Sequence, residues 1–279
     1  MTTTSREPTM GITFHKGHGT RNDFVIIEDP EGMRELTPDV VRALADRRSG
    51  IGGDGVIRVV RGGAFDQWHG DPELWFMDYW NADGSVAEMC GNGLRVFVRY
   101  LLQQQLVDQL EFDVATRAGV KHVRADAHAV SVWLGPATVA DDVVRVRSGA
   151  LEVEARPVNV GNPHAVAFVD AAQLRELDLG VAPTWEPAER FPEDVNVEFV
   201  VVEGPGELRL RVHERGVGET ESCGTGVVAA AAAYRRASGF EGPVRVEVPG
   251  GSLGVDFTDA GAVLTGPAVI VAHGHFTQP

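Results

Sequence analysis

The feature that most constrains this chain is a pattern that it uses twice. The first half reads Asn81-Ala82-Asp83-Gly84-Ser85-Val86-Ala87-Glu88-Met89-Cys90-Gly91-Asn92-Gly93, and the second reads Glu214-Arg215-Gly216-Val217-Gly218-Glu219-Thr220-Glu221-Ser222-Cys223-Gly224-Thr225-Gly226. In each, a strand-like run enters a polar turn, and a cysteine stands nine residues after Asn81 or Glu214. Cys-Gly-x-Gly then opens an apolar helix. A shorter echo sets Arg21-Asn22-Asp23 beside Gly161-Asn162-Pro163-His164, each at a turn before an apolar strand. A chain that repeats such a unit is expected to fold as two similar halves, with Cys90 and Cys223 facing each other across a shared cleft.

A cysteine just before a helix sits among unpaired backbone N–H groups at the positive end of the dipole. That position is expected to lower the thiol pKa. The same N–H groups are a receptor for a carboxylate, and the glycines let a ligand approach the backbone. Cys90 and Cys223 are the only cysteines in the chain. Two such residues, both in Cys-Gly-x-Gly, read as reactive thiols rather than as small buried apolar side chains. They do not supply a zinc site, which takes about four ligands. No GxxxxGK[ST] loop is present, and Gly50-Ile51-Gly52-Gly53-Asp54-Gly55 precedes a strand, which argues against a dinucleotide fold.

Strand-like runs dominate, among them 23–28, 56–60, 74–81, 111–115, 130–134, 165–169, 196–203, 207–213, 244–248, 262–264 and 268–272. Helices are expected after Thr37-Pro38, after Gly93, over 171–177 and after Gly226. Many strands with few helices indicate an α+β protein, with the best internal boundary near Gly135-Pro136. Forty acidic against 25 basic residues give a net charge of −15, which disfavours nucleic acid and anionic membrane surfaces as partners. No apolar run approaches a membrane span, and MTTTSREPTM carries no apolar signal core, so a cytoplasmic location is expected.

These ordered motifs resemble those of the diaminopimelate epimerase family of pyridoxal-phosphate-independent amino-acid epimerases. The resemblance rests on Gly17-His18-Gly19-Thr20-Arg21-Asn22-Asp23-Phe24, Asn81 to Ser85, Cys90 to Gly93, Gly161 to His164, Phe191-Pro192-Glu193-Asp194-Val195-Asn196, Glu214 to Thr220 and Cys223 to Gly226. It spans all but about the first nine residues. It implies two pseudo-symmetric domains, each a curled mixed β-sheet or barrel around a central helix, with the final strand returning to the first. The expected division is residues 1–134 plus 266–279 against 135–265. The resemblance further implies inversion of one α-carbon of diaminopimelate, from the LL to the meso form, in lysine and peptidoglycan precursor synthesis. No cofactor and no metal are implied, and a homodimer is.

Carried over position by position, the resemblance makes Cys90 and Cys223 the acid–base pair. Asn22, Asn81, Asn162 and Asn196 become substrate-binding asparagines. Glu214 and Arg215 hold the substrate, and Gly91-Asn92 and Gly224-Thr225 become backbone cradles. His164 and Glu214 modulate the thiols. Gly55 is a departure, since some relatives carry glutamine there.

The chemistry is consistent with these assignments. No lysine sits in a recognisable Schiff-base context, so the growing carbanion charge is expected to be held electrostatically by the helix N-termini. One thiolate removes the α-proton and the opposed thiol delivers one, which predicts a bell-shaped rate profile. His164 is the candidate partner of one thiol, and Arg215 suits a distal carboxylate. His15, His69, His122 and His128 carry no functional expectation, and His18 stays open. Two other readings remain at this point: a two-thiol proline or hydroxyproline racemase, and a module that binds an amino acid or senses redox state. A hydride-transfer enzyme is a distant third.

Overall fold

The computed structural model describes residues 11–277. The first half contains β1 (Ile12–Gly19), β2 (Asn22–Glu28), α1 (Pro38–Ala45), β3 (Gly55–Arg61), β4 (Trp75–Asn81), α2 (Gly91–Gln103), β5 (Glu111–Thr116), β6 (Gly119–Ala125) and β7 (Val130–Gly135). The second contains β8 (Thr138–Val139), β9 (Val144–Ser148), β10 (Leu151–Asn159), β11 (Pro163–Phe168), α3 (Ala171–Glu176), β12 (Thr184–Glu186), β13 (Asn196–Gly204), β14 (Glu207–Glu214), β15 (Gly218–Thr220), α4 (Gly224–Ser238), β16 (Val244–Val248), β17 (Gly251–Thr258) and β18 (Gly261–Gly266). The last strand is β19 (Val269–Phe276).

The two halves pair their strands in the same sequence of directions. From β1 to β7 neighbours run antiparallel, parallel, antiparallel, parallel, antiparallel, antiparallel. The series β10, β11, β13, β14, β16, β17, β18 repeats that order. Parallel neighbours need a crossover, and helices supply one each time. Helix α1 links β2 to β3 and α2 links β4 to β5, while α3 and α4 do the same for β11 to β13 and β14 to β16. The halves join edge to edge through β7 and β18. The final strand crosses back to pair with β1, where the second half uses β9 against β10.

The two central helices fill the curled sheet by different means. Helix α2 buries Leu94, Phe97, Tyr100 and Leu101. Helix α4 buries Ala229 through Ala233 and Tyr234. Alanine favours helix and projects a single methyl group, so strands can close around α4 tightly. Both helices belong to one continuous apolar cluster, which fixes their relative positions. The outer helices are held locally. Thr37 caps α1 ahead of Pro38, and Asp170 and Gln173 form a reciprocal capping box on α3. Among the described residues no helix is long and apolar enough to cross a membrane.

Candidate active site

The N-termini of α2 and α4 meet at two glycines. A methyl group built on Gly91 would lie 3.8 Å from Gly224 Cα, and one built on Gly224 would lie 3.5 Å from Gly91 Cα. Cys90 and Cys223 each stand one residue, about 3.8 Å of chain, from that contact. Both helices begin at the first glycine of Cys-Gly-x-Gly, three residues before the expected start. The reason is that each cysteine is itself the N-cap, in extended backbone geometry, which leaves the next residues free to turn helical. Both thiols are free.

The contact is locked by buried polar groups. Asn92, 1% exposed, donates from Nδ2 to Ser222 O at 2.9 Å and to Asn22 Oδ1 at 3.3 Å. Thr20 Oγ1 and Ser222 Oγ are 2.6 Å apart across the two halves. Arg95 lies one helical turn below Cys90 and is fully buried. Its guanidinium donates to Gly91 O, Thr20 Oγ1 and Pro267 O at 3.3 to 3.4 Å. All three acceptors are neutral. No carboxylate bridges it among the described residues, and Cys90 is the ionisable group whose field acts on it.

Cys90 Sγ accepts from Gly93 N–H at 3.4 Å and faces Asn22 Oδ1 at 3.7 Å. Cys223, 6% exposed, has Thr225 Oγ1 at 3.6 Å, and the field of the Glu214 carboxylate acts on it. The expectation that these positions lower both thiol pKa values is corrected here. Burial outweighs the helix donors, pushing Cys90 up to about 11. Cys223 is raised as well, by burial and then by the fields of the Glu214 and Glu198 carboxylates. Burial also raises the Glu214 carboxyl group, so Glu214 and Cys223 compete for a proton.

The remaining expected residues fall into two groups. Asn22, Gly91, Asn92, Asn162, His164, Glu214, Gly224 and Thr225 sit against the two helix starts. Asn162 links His164 Nε2, 3.0 Å from its Oδ1, to Thr225 Oγ1, 3.4 Å from its Nδ2. Asn81, Asn196 and Arg215 are one step removed. Asn81 accepts from the Tyr79 hydroxyl at 3.0 Å, and Asn196 Oδ1 accepts from Arg215 N–H at 2.8 Å. The Arg215 guanidinium reaches Glu193 O at 3.1 Å, at the exposed rim.

Several side chains here were not expected. Asp54 accepts from Asn22 Nδ2 at 2.7 Å and is bridged by Arg47, which also clamps Asp23. Tyr79 explains the departure at Gly55. A Cβ at Gly55 would lie 2.6 Å from both Trp80 O and the Tyr79 ring, so the tyrosine closes the space a side chain would need. Only the missing side chain at 55 hinted at this. Arg95 and Glu198 were legible in principle, as charges set among the apolar residues that open α2 and β13. Ser222 and Thr20 carried no signal beyond their place in the motifs.

The sequence profile of the diaminopimelate epimerase family matches residues 14–140 and 156–271. A diaminopimelate epimerase of Streptomyces coelicolor is 51% identical over 277 residues, covering 95% of each chain. One of Thermobifida fusca is 48% identical over 94% of this chain and 97% of its own. Among solved structures, a hydroxyproline epimerase from Agrobacterium vitis superposes with a TM-score of 0.65 at 14% identity, covering 98% of this chain and 95% of that one. A predicted epimerase from Pseudomonas aeruginosa gives 0.70 at 13% identity, covering 96% and 100%. At such low identity these two neighbours speak for the fold, a pair of pseudo-symmetric domains. On the profile and the full-length relatives, this chain belongs to the diaminopimelate epimerase family and is an isomerase.

Proposed function

We propose that the chain interconverts LL- and meso-diaminopimelate without a cofactor, using Cys90 and Cys223 as opposed base and acid. The observation that carries this reading is the meeting of two cysteine-capped helix N-termini, one from each half, at Gly91 and Gly224. The α-carbon lies between the sulfurs. Its carboxylate takes the leading N–H groups of Gly91, Asn92, Gly224 and Thr225, which have no partner within their helices. As the α-proton leaves, charge grows on that carboxylate, and the fixed donors hold it better than they hold the ground state. Asn22 and Asn162 flank the reacting end. Asn81, Asn196 and Arg215 receive the distal amino-acid end, with Arg215 suited to its carboxylate.

Raised thiol pKa values fit a resting state with few thiolates. Glu214 accepts the Cys223 proton when that sulfur acts as base, and His164 stands behind Asn162 on the same side. The acidic limb of the rate profile then lies on the alkaline side of an ordinary thiol. The halves divide at residues 1–134 plus 266–279 and 135–265, of which 1–10 and 278–279 lie outside the described residues. A cytoplasmic homodimer serving lysine and peptidoglycan precursor synthesis completes the reading; the relatives' name supports the pathway alone, and sedimentation checks the dimer.

Purified protein incubated with LL-diaminopimelate in heavy water should yield the meso form with deuterium at one α-carbon. Cys90→Ala and Cys223→Ala should each lower turnover at least about a thousandfold, yet keep α-proton exchange from one stereoisomer. Full turnover in either variant sinks the two-thiol reading. Proline as a better substrate than diaminopimelate would favour the racemase alternative.

A further inference from the structure

Equivalent strand registers expose a difference beneath the two cysteines. In the first half Phe24 pairs with Gly55, and in the second His164 pairs with Asn196. Two residues on, Ile57 of β3 therefore corresponds to Glu198 of β13. The contacts agree. A methyl group on Gly93 would touch Ile57, Phe24 and Cys90 Cβ at 3.4 Å. One on Gly226 would meet Glu198 Oε1 at 2.6 Å and Cys223 Cβ at 3.3 Å. The fold accepts an apolar pair at this place under Cys90. Under Cys223 it holds a carboxyl group and an imidazole, both fully buried.

A hydrogen-bonded chain runs from that pair to the thiol. Glu198 Oε1 is 2.6 Å from His164 Nδ1, and His164 Nε2 is 3.0 Å from Asn162 Oδ1. Asn162 Nδ2 is 3.4 Å from Thr225 Oγ1, which is 3.6 Å from Cys223 Sγ. Glu198 Oε2 has no partner among the described residues. With one proton between Oε1 and Nδ1, Nε2 must carry a proton to meet the Asn162 carbonyl. Asn162 then donates to Thr225, and the threonine hydroxyl is free to donate to sulfur.

We propose that Glu198 is a positioning residue for Cys223: by pinning His164 Nδ1 it sets the direction of this chain, so that its last member donates a hydrogen bond to the thiolate. The proposal rests on the two-thiol reading of the site. Without the carboxyl group, His164 can keep its proton on Nδ1 and accept on Nε2, Asn162 reverses, and Thr225 turns its hydroxyl away from sulfur. Glu198 also acts on Cys223 through its carboxylate field, which raises the thiol; losing that field would lower the thiol and losing the donor raises it, so the sign of the shift tells the two apart. The other titratable groups facing Cys223 are Glu214 of β14 and, on the two-thiol reading, Cys90 across the cleft, and Asp54 acts on Glu214 from the first half; none of these is altered.

Glu198→Ile copies the first half, and Glu198→Gln keeps the shape with an amide that donates to Nδ1. Glu198→Ile should lower kcat about tenfold or more and raise the pH of half-maximal Cys223 alkylation by about one unit. Glu198→Gln should keep kcat within about threefold. In a Thr225→Val background, adding Glu198→Ile should raise that pH no further, because the chain is already cut. Nitrogen NMR of His164 should show Nε2 protonated in the parent and in Glu198→Gln, and unprotonated in Glu198→Ile. The double variant His164→Phe/Glu198→Ile, which reproduces the first half in full, should melt cooperatively and label like Glu198→Ile. Parent-like alkylation in a folded Glu198→Ile protein, or effects of Glu198→Ile and Thr225→Val that add in full, would overturn the proposal. Alkylation needs no turnover, so it reads Glu198 separately from any failure of the two-thiol mechanism.

Discussion

Cys90 and Cys223 cap equivalent helices in halves with the same strand order, yet their surroundings differ in charge. Cys90 has a buried guanidinium one helical turn below it and Asn22 beside it. Cys223 has the carboxyl groups of Glu214 and Glu198 acting on it. Repeated backbone pairing provides two opposed N-caps, and side chains then make them unequal. For a reaction that needs one thiolate and one thiol at once, the inequality is useful. A symmetric pair would spend much of its time with both sulfurs in the same protonation state. The arrangement favours negative charge at Cys90 and a proton at Cys223 in the free protein.

The strongest way to break this comparison is to remove the cation. Arg95→Met keeps an unbranched, flexible stem and deletes the charge. Thiols alkylate as thiolates, so as pH rises Cys90, with a guanidinium acting on it, should label before Cys223, on which two carboxyl groups act. In Arg95→Met the Cys90 curve should move to still higher pH, toward that of Cys223, and kcat should fall about 10- to 100-fold. Arg95→Lys should recover part of both. Stability is a poor readout here, since replacing a buried charge by an apolar chain can raise or lower it. An unchanged order and spacing of the two labelling curves in Arg95→Met would show that the guanidinium does not polarise the pair.

A smaller effect is expected at the lock between the halves. Asn92 Nδ2 serves Ser222 O and Asn22 Oδ1 at once, so Asn92→Leu leaves buried acceptors without a donor. The expected cost is about 1–3 kcal/mol, read by denaturant melts. Ser222 immediately precedes Cys223, so Cys223 labelling should also quicken as the lock loosens. A loss below about 0.5 kcal/mol would mean that the apolar cluster alone holds the two helix starts together.

What the chain revealed before folding follows from which interactions are local. The cysteine caps, the Thr37-Pro38 start of α1 and the apolar strands β2, β3, β4 and β13 were legible, because each is written in consecutive residues. Strands such as β1, β6, β9, β10 and β17 were not. They mix Lys, Arg, Glu and Gly with apolar residues, as half-buried strands do, and their pairing partners lie far away in sequence. Two cysteine turns facing one cleft were expected from the echo, but the contact between the helix starts and its lock were not. Asn92, Ser222, Thr20 and Arg95 meet only after β19 and the β7–β18 seam have closed the molecule. Thiol acidity was misread for the same reason. The N-cap effect is local and visible, whereas burial is set by the whole fold and wins.

The finest test separates the two glycines at the contact. Neither needs a left-handed backbone, so alanine at either is judged by space alone. At Gly91 a methyl group would meet Leu264 Cδ2 at 3.4 Å and Gly224 Cα at 3.8 Å, ordinary contacts. At Gly224 it would meet Leu264 Cδ2 at 3.1 Å, Gly91 Cα at 3.5 Å and Asn92 Oδ1 at 3.6 Å, which crowds the lock. Gly91→Ala should therefore stay within about 0.5 kcal/mol of the parent, since restricting the unfolded chain offsets the new contacts. Gly224→Ala should lose about 1 kcal/mol. Both add a methyl group where the substrate carboxylate must reach backbone N–H groups, so both should raise KM, with thermal melts distinguishing one from the other. Equal melts would mean that the contact gives way on either side, and that the crowding around Gly224 relaxes through Leu264.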